Sequence, residues 1–363
     1  MAVLREIIRN EVEKSGAISF ARFMELALYC PVYGFYEQEP DNIGRRGHYY
    51  TSVSTGSLFG ELLAFQFADW LAALPAAPKY QLVEAGVHDG RLAADILGWL
   101  TVWRPDLFER VEYWIVEPSA RRREWQRKTL ERFGTRVRWA ESLEQDVRAV
   151  VGIIFSNEFL DSLPVRRFGW DAARRAWFEW GVAYRDGRFV WTRLQSTENA
   201  PRALFELPSE FLDALPDGYT VETCPMAERW WRAAAHALAA GRLVAIDYGL
   251  TADERFDPAR TRGTVRAYRR HQVFEDVLAD PGQQDITAHV DFAALQVVGE
   301  AVGLKTEGLV TQGQFLTRVA ERALQSGIAW CNWSDAQKRQ FKTLVHPNHL
   351  GRVFRVFIQA RLP

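Results

Sequence analysis

Apolar positions recur at helical spacing from the start of the chain. Leu4, Ile7, Ile8 and Val12 share one face of a helix predicted over 3–14, and a second helix, capped by Ser19, runs to Leu28. An aromatic, glycine-containing stretch beginning "YCPVYGFYE" leads into a long apolar helix that ends at Leu74, and the segment Pro75 to Pro78 marks a boundary before a strand at Gln81. Elements then alternate: a helix over 90–100, a strand over 111–116, a helix over 119–133, and strands over 136–139 and 150–155. Strands apolar throughout, with helices between them, predict a parallel sheet covered on both faces. Over 165–195 the pattern switches to period two, rich in aromatics, with an Asp186–Gly187 turn, and predicts an antiparallel insertion. A helix over 226–240, a strand over 242–247 and a final strand in "HLGRVFRVFIQARL" complete the α/β pattern, without internal repeat or low-complexity segment.

Composition narrows the function. The 363 residues are 48% hydrophobic, enough for one large domain with additions or for two. A net charge of -1 from 45 basic and 46 acidic residues excludes a general nucleic-acid binder. Basic runs such as "SARRREWQRK" and "RAYRRH" read as solvated helix faces and are assigned no partner. Cys30, Cys224 and Cys331 are far apart and lack metal-ligand spacing, so a reduced compartment and no metal site are expected. The N-terminus does not read as a targeting peptide and no apolar run reaches ~20 residues, so a cytoplasmic protein without a membrane span is expected.

The stretch "QLVEAGVHDGRLAADIL" reads as strand, tight loop, helix, the arrangement in which nucleotide-like cofactors bind. Its loop holds Gly86 and Gly90 but has His88 near the place of the middle glycine of a G-x-G-x-x-G fingerprint. Dinucleotides need that glycine because their pyrophosphate touches the backbone. S-adenosylmethionine carries no phosphate, so the loop favours it. His88 and Asp89 tolerate left-handed backbone, and Asp89 is placed to cap the helix starting at Gly90. The next strand ends in Glu117, where an acid accepts from ribose hydroxyls, and Glu141 or Ser142 after the third strand is placed to touch the adenine edge. After the fourth strand, "SNEFLDSLPV" sets Asn157, Glu158 and Asp161 at the carboxyl end of the sheet, with both acids on one helical face. A plain capping arrangement with surface acids is the competing reading of that spacing.

These runs, together with "YGFYE", "VETCPMA", "IDYG", "GTVRAYRRH", "DITAHVDF" and "TQGQFL", resemble the MidA-like family of S-adenosylmethionine-dependent methyltransferases over nearly the whole chain. The resemblance implies a class I methyltransferase (Rossmann-like), mostly parallel sheet with an N-terminal helical segment and an antiparallel β insertion. It implies cofactor binding by Glu84, Gly86, Gly90, Glu117 and Asn157, to which the loop and strand-end reading adds His88 and Ser142, with Asp285 and His289, of the segment that also holds Thr287 and Asp291, on the substrate side. Mitochondrial members of the family methylate an arginine of a complex I subunit, which implies a protein substrate and, for Glu158 and Asp161, a catalytic role in gripping the guanidinium. Three departures stand out: "GVHDG" for the family's G-P-G-x-G, Gly47 to Thr51 for G-D-F before a threonine, and "LGRVFR" from Leu350 to Arg355 for M-G-E-x-F-K. The expected organisation is an N-terminal segment, 1–76, covering the cleft and an α/β domain, 77–363, with insertions at about 165–200 and 250–315. Aromatics around Tyr29 to Tyr50 and Trp170 to Trp191 read as packing more readily than as a peptide cleft. Two other classes stay open: a catalytically silent assembly factor on the same fold and, less favoured, an NAD(P)-dependent oxidoreductase.

Overall fold

A computed structural model describes residues 2–38, 51–194, 207–269 and 272–362. The stretch Gly47 to Tyr50, the 195–200 end of the insertion, and Arg270 with His271 lie outside the described residues. Seven strands form the main sheet: β1 (Tyr80–Ala85), β2 (Val111–Val116), β3 (Val137–Ala140), β4 (Val150–Asn157), β5 (Leu238–Leu250), β6 (Lys305–Thr311) and β7 (Phe354–Arg361). They lie in the order β3-β2-β1-β4-β5-β7-β6, and a short strand, Val290–Asp291, adds to β5. The first five pair in parallel, as in Leu82↔Tyr113 and Leu82↔Ile153, whereas β7 is antiparallel to both β5 and β6. Strand order reverses between β1 and β4, and their carboxyl ends open the crevice in which such sheets bind ligands.

Burial on both faces explains the apolar strands. Helix α1 (Ala2–Ser15) buries Leu4, Ile8 and Val12, and α2 (Phe20–Tyr29), capped by the Ser19 hydroxyl, buries six residues. Both pack with the antiparallel insertion, not with the main sheet. Helix α3 (Leu58–Ala72), which the sequence groups with the N-terminal segment, instead shares one core with β1, β2 and α4 (Arg91–Trp103). The opposite face of the sheet is covered around Trp231 of α6 (Pro225–Ala237), while α5 (Ala120–Leu130) follows β2.

The expected insertion is present as antiparallel strands Arg166–Asp171, Ala176–Arg185 and Arg188–Arg193. Its turn is Asp186–Gly187, both at positive φ, with Arg185 opposite Arg188. It also recruits Ile18–Ser19 and Thr220–Thr223. Helix α6 stops three residues before the expected 240. Leu238 already pairs with Val150, and Gly241 lets the chain pass within contact of Gly152. The segment expected as a substrate-side insertion to about 315 is shorter than its sequence suggests, because β6 within it is the edge strand of the main sheet.

Candidate active site

A cavity of about 850 Å³ opens where β1, β2 and β4 end, beneath the N-terminal segment. Its floor is the β1–α4 loop. Gly86 (φ +78°), His88 (φ +48°) and Gly90 (φ +90°) all take left-handed backbone, so the chain turns through three such positions in five residues. At Gly86 a Cβ would lie 2.6 Å from the Cβ of Phe159, so glycine alone lets this loop meet the turn after β4. His88 fits its position because imidazole-bearing residues tolerate the region. The Asp89 carboxylate accepts from the Arg91 N–H at 3.2 Å, close to the expected cap. Gly86 and His88 line the cavity, whereas Gly90 caps α4 behind it.

The acids form two groups. At the first, Glu84 is buried, accepts from the Tyr113 hydroxyl at 2.5 Å and is pushed by burial up to about 8. Glu117, also buried, has its pKa raised by desolvation despite its partners. It accepts from the Ser119 N–H at 2.9 Å, the Arg122 guanidinium at 2.9 Å and Gln126 Nε2 at 3.2 Å. A carboxylate offers about four acceptor positions, so a ribose hydroxyl can still be taken. Arg122 also reaches Glu37 at 3.4 Å, which ties the N-terminal segment to this wall. The basic run read as solvated surface thus supplies part of the cavity: its side chains are drawn inward by Glu117 and Glu37, which the linear pattern does not show.

At the second group, Asn157 and Glu158 line the cavity and Asp161 sits just behind them. Glu158, at φ +50°, accepts from the Ser52 N–H at 3.0 Å and from Asn157 Nδ2 at 3.3 Å through Oε1. Among the described residues its buried Oε2 and the Asn157 Oδ1 have no hydrogen-bond partner. Burial, before any other cause, pushes Glu158 up to about 8 and raises Asp161 strongly. The turn carrying them is held by Asp247 at the end of β5, which accepts from the N–H groups of Phe159, Leu160 and Asp161 at 3.1, 2.9 and 3.4 Å. Asp285 accepts from the Tyr36 hydroxyl at 2.5 Å, and burial pushes it up to about 7.

The structure therefore brings Glu84, Gly86, His88, Glu117, Ser142, Asn157 and Glu158 around one cavity, and Glu141 with them. Asp161 and Asp285 stand behind its wall. His289 does not line the cavity: its N–H donates to Thr264 Oγ1 at 3.0 Å, and desolvation, with nearby Arg260 and Arg266, pushes its imidazole down to about 4. Asp247 and Gln126 were not singled out from the sequence, although "IDYG" contains the first. The described residues contain no cluster suited to a metal ion and no helix long and apolar enough to cross a membrane.

The cavity fits an adenosyl amino-acid cofactor. Glu117 has room for one more donor, the loop turns at Gly86 and carries His88 into the cavity lining in place of the glycine a pyrophosphate calls for, and Asn157 and Glu158 line the same cavity. Comparison with known proteins agrees. A family model described as "Putative S-adenosyl-L-methionine-dependent methyltransferase" matches residues 62–310. The protein arginine methyltransferase NDUFAF7 homolog, mitochondrial, of Drosophila melanogaster is 28% identical over 97% of this chain and 83% of its own. Its Mus musculus counterpart is 28% identical over the same shares, 97% and 83%. A Burkholderia thailandensis protein crystallised with S-adenosyl-homocysteine is 30% identical, with a TM-score of 0.86 over 99% of this chain and 92% of that one. The chain belongs to this family of methyltransferases, and its cofactor is S-adenosylmethionine.

Proposed function

We propose that the acceptor is an arginine of a partner protein, with a respiratory complex I subunit as the first candidate to test. The observation that carries the reading is Glu158, a residue of the cavity wall whose buried Oε2 has no hydrogen-bond partner among the described residues, backed by Asp161, Asp247 and Asp285. A buried carboxylate oxygen without a donor calls for a charge-assisted one, and a guanidinium presents several in a plane. The names of the relatives, protein arginine methyltransferases, support the same acceptor.

S-adenosylmethionine supplies an electrophilic methyl group on a sulfonium. The chain aligns the acceptor with it and excludes water. Glu158 as carboxylate would grip the guanidinium and orient one of its nitrogens toward the cofactor's end of the cavity. It would also take the proton that nitrogen loses on methylation, the methyl coming from the sulfonium, which would leave as the neutral thioether. A carboxyl held near 8 suits that base role near neutral pH. Asp161 is buried behind the wall and does not line the cavity, so it does not touch the acceptor.

The test incubates the protein and its Glu158→Gln variant with methyl-labelled cofactor and a lysate from cells lacking this chain, followed by mapping of methylarginine. Label on arginine that the variant fails to transfer supports the reading. Intact cofactor binding with no label in any protein removes it and leaves the silent assembly factor in its place.

A further inference from the structure

Seven non-glycine residues among those described have positive φ, and three of them, Val32, His88 and Glu158, line the same cavity. The first has no place in the site as described so far. Val32 follows Pro31 in a tight turn closed by the Tyr33 N–H donating to Cys30 O at 3.1 Å. Proline fixes the preceding φ near -65°, which leaves a type II turn as the way to put the next residue at φ > 0. That position suits glycine or asparagine, and a β-branched residue there is strained. Val32 nevertheless stands at φ +72°. Surrounding bonds hold the turn in place: Gly34 N–H donates to Cys30 O at 2.7 Å, and Gln38 Nε2 donates to Tyr33 O at 3.0 Å and to Gly282 O at 2.6 Å.

The strain yields no packing within the fold. The Val32 side chain is 57% exposed. Among the described residues, the exposed large apolar ones that also line the cavity are Val32 and Met226, of helix α6. The cavity thus has an acidic wall at Glu158 and a solvent-facing rim that presents apolar groups. With Glu117 and the β1–α4 loop as the expected holders of the cofactor's ribose and amino-acid parts, the rim is left to the acceptor.

We propose that Val32, with Met226, forms an apolar rim that selects an extended segment of the acceptor protein in which the arginine is flanked by apolar side chains. This rests on the arginine-acceptor reading. The occupant follows from charge and continuity: a cation at Glu158 places the residues next to it in the chain at the rim.

Two labelled peptides test it, Gly-Ser-Leu-Arg-Leu-Ser-Gly and Gly-Ser-Ser-Arg-Ser-Ser-Gly, with the wild type and Val32→Asn, each loaded with S-adenosyl-homocysteine for binding by fluorescence anisotropy and with methyl-labelled cofactor for turnover. Asparagine adopts the left-handed turn more readily than valine, so the variant should melt at or above the wild-type temperature. The wild type should bind the leucine peptide about tenfold more tightly than the serine peptide, and the variant should narrow that to about twofold. In turnover the variant should raise KM for the leucine peptide at unchanged kcat, with cofactor affinity intact. Equal binding of the two peptides by the wild type, no binding of either, a preference retained by the variant, or a lowered melting temperature each overturns the proposal. If the preference appears in binding and vanishes in the variant while no methyl is transferred, the rim stands and the failure falls on arginine as the acceptor.

Discussion

Replacing Gln126 with leucine tests how far the cofactor site depends on a residue that does not line the cavity. Gln126 is fully buried on α5. Its Nε2 donates to His88 O at 3.0 Å and to Glu117 Oε2 at 3.2 Å, and its Oε1 accepts from the Trp139 indole at 3.0 Å. One side chain therefore joins the β1–α4 loop, the acid placed for the ribose, and β3. Leucine keeps much of the volume and removes all three bonds. The His88 carbonyl and the Trp139 N–H each lose a partner at a cost of about 1–2 kcal/mol, and a summed stability loss of about 2–4 kcal/mol is expected. With about 2.1 cal/mol/K of unfolding entropy per residue, the 363 residues give roughly 0.8 kcal/mol/K, so the melting temperature should drop by about 3–5 °C.

The decisive readout is the ligand. Glu117 keeps its bonds to Ser119 and Arg122 in the variant but loses the donor that turns Oε2 toward the loop. Affinity for S-adenosyl-homocysteine should weaken by about 1–2 kcal/mol, roughly five- to thirtyfold in Kd. Calorimetric titration with the 2′-deoxy analogue separates positioning from general loosening. The wild type should lose about tenfold without the hydroxyl, and the variant should discriminate no more than about twofold. A variant that melts lower yet keeps both its Kd and its discrimination would show that Gln126 only supports the fold.

His88→Gly should leave binding of S-adenosyl-homocysteine equal or tighter, since glycine occupies φ +48° without strain; a loss beyond about tenfold in calorimetry would place the imidazole on the ligand. On the arginine reading, kcat/KM for a peptide acceptor should rise with pH up to about 8, because a cation needs Glu158 ionised and its pKa is raised to there; Glu158→Gln should cost about a hundredfold or more and remove its share of that rise, and an unchanged profile would take Glu158 out of the reaction. Glu84 is raised from 4.5 to about 8 by burial, so the stability it contributes as a neutral acid is fully present below about 4.5 and is lost as pH rises toward 8. Glu84→Gln, which cannot ionise, should therefore flatten the fall in melting temperature between pH 5 and 8 by an amount on the order of 3–5 kcal/mol in total; parallel curves for variant and wild type would contradict a buried neutral Glu84.

The sheet and its carboxyl-edge residues were legible because they are local in the chain. Gly86, Glu117, Asn157 and Glu158 each follow a strand whose apolar run can be counted, so their common cavity follows from parallel pairing alone. What stayed hidden depends on contacts distant in sequence. Asp247 lies 88 positions from the Phe159 N–H it accepts from, and Ser52 lies 106 from Glu158. Gln126 and Arg122 sit in a run whose charges conceal that its inner face meets Glu117. β6 looked like part of an insertion because its burial is only partial, as befits an edge strand, and its pairing with β7 spans the segment between them. Val32 carried a signal that passed unused: a β-branched residue after proline in "CPVYG", where a type II turn would ask for glycine.

A fold selected for stability alone has little reason to keep Glu158, Asp161, Asp247 and Asp285 together, since burial raises the pKa of every one of them. On the arginine reading, two-cation chemistry gives such a group a purpose. A sulfonium and a guanidinium brought to about 4 Å repel by about 4 kcal/mol at an effective dielectric of 20, and that repulsion would work against the alignment the reaction needs. Ionised carboxylates beside the acceptor offset it, and the approach of two cations lowers their pKa values, so the charge appears when it is required. On that reading, transfer would leave the sulfur neutral and the proton on Glu158. Attraction between the acid wall and the spent cofactor is then lost while the methylated guanidinium still faces acids. On this argument the raised pKa values of the buried cluster belong to the resting half of a cycle, and the cost of burying it is the cost of a site that charges more fully in the presence of its cations.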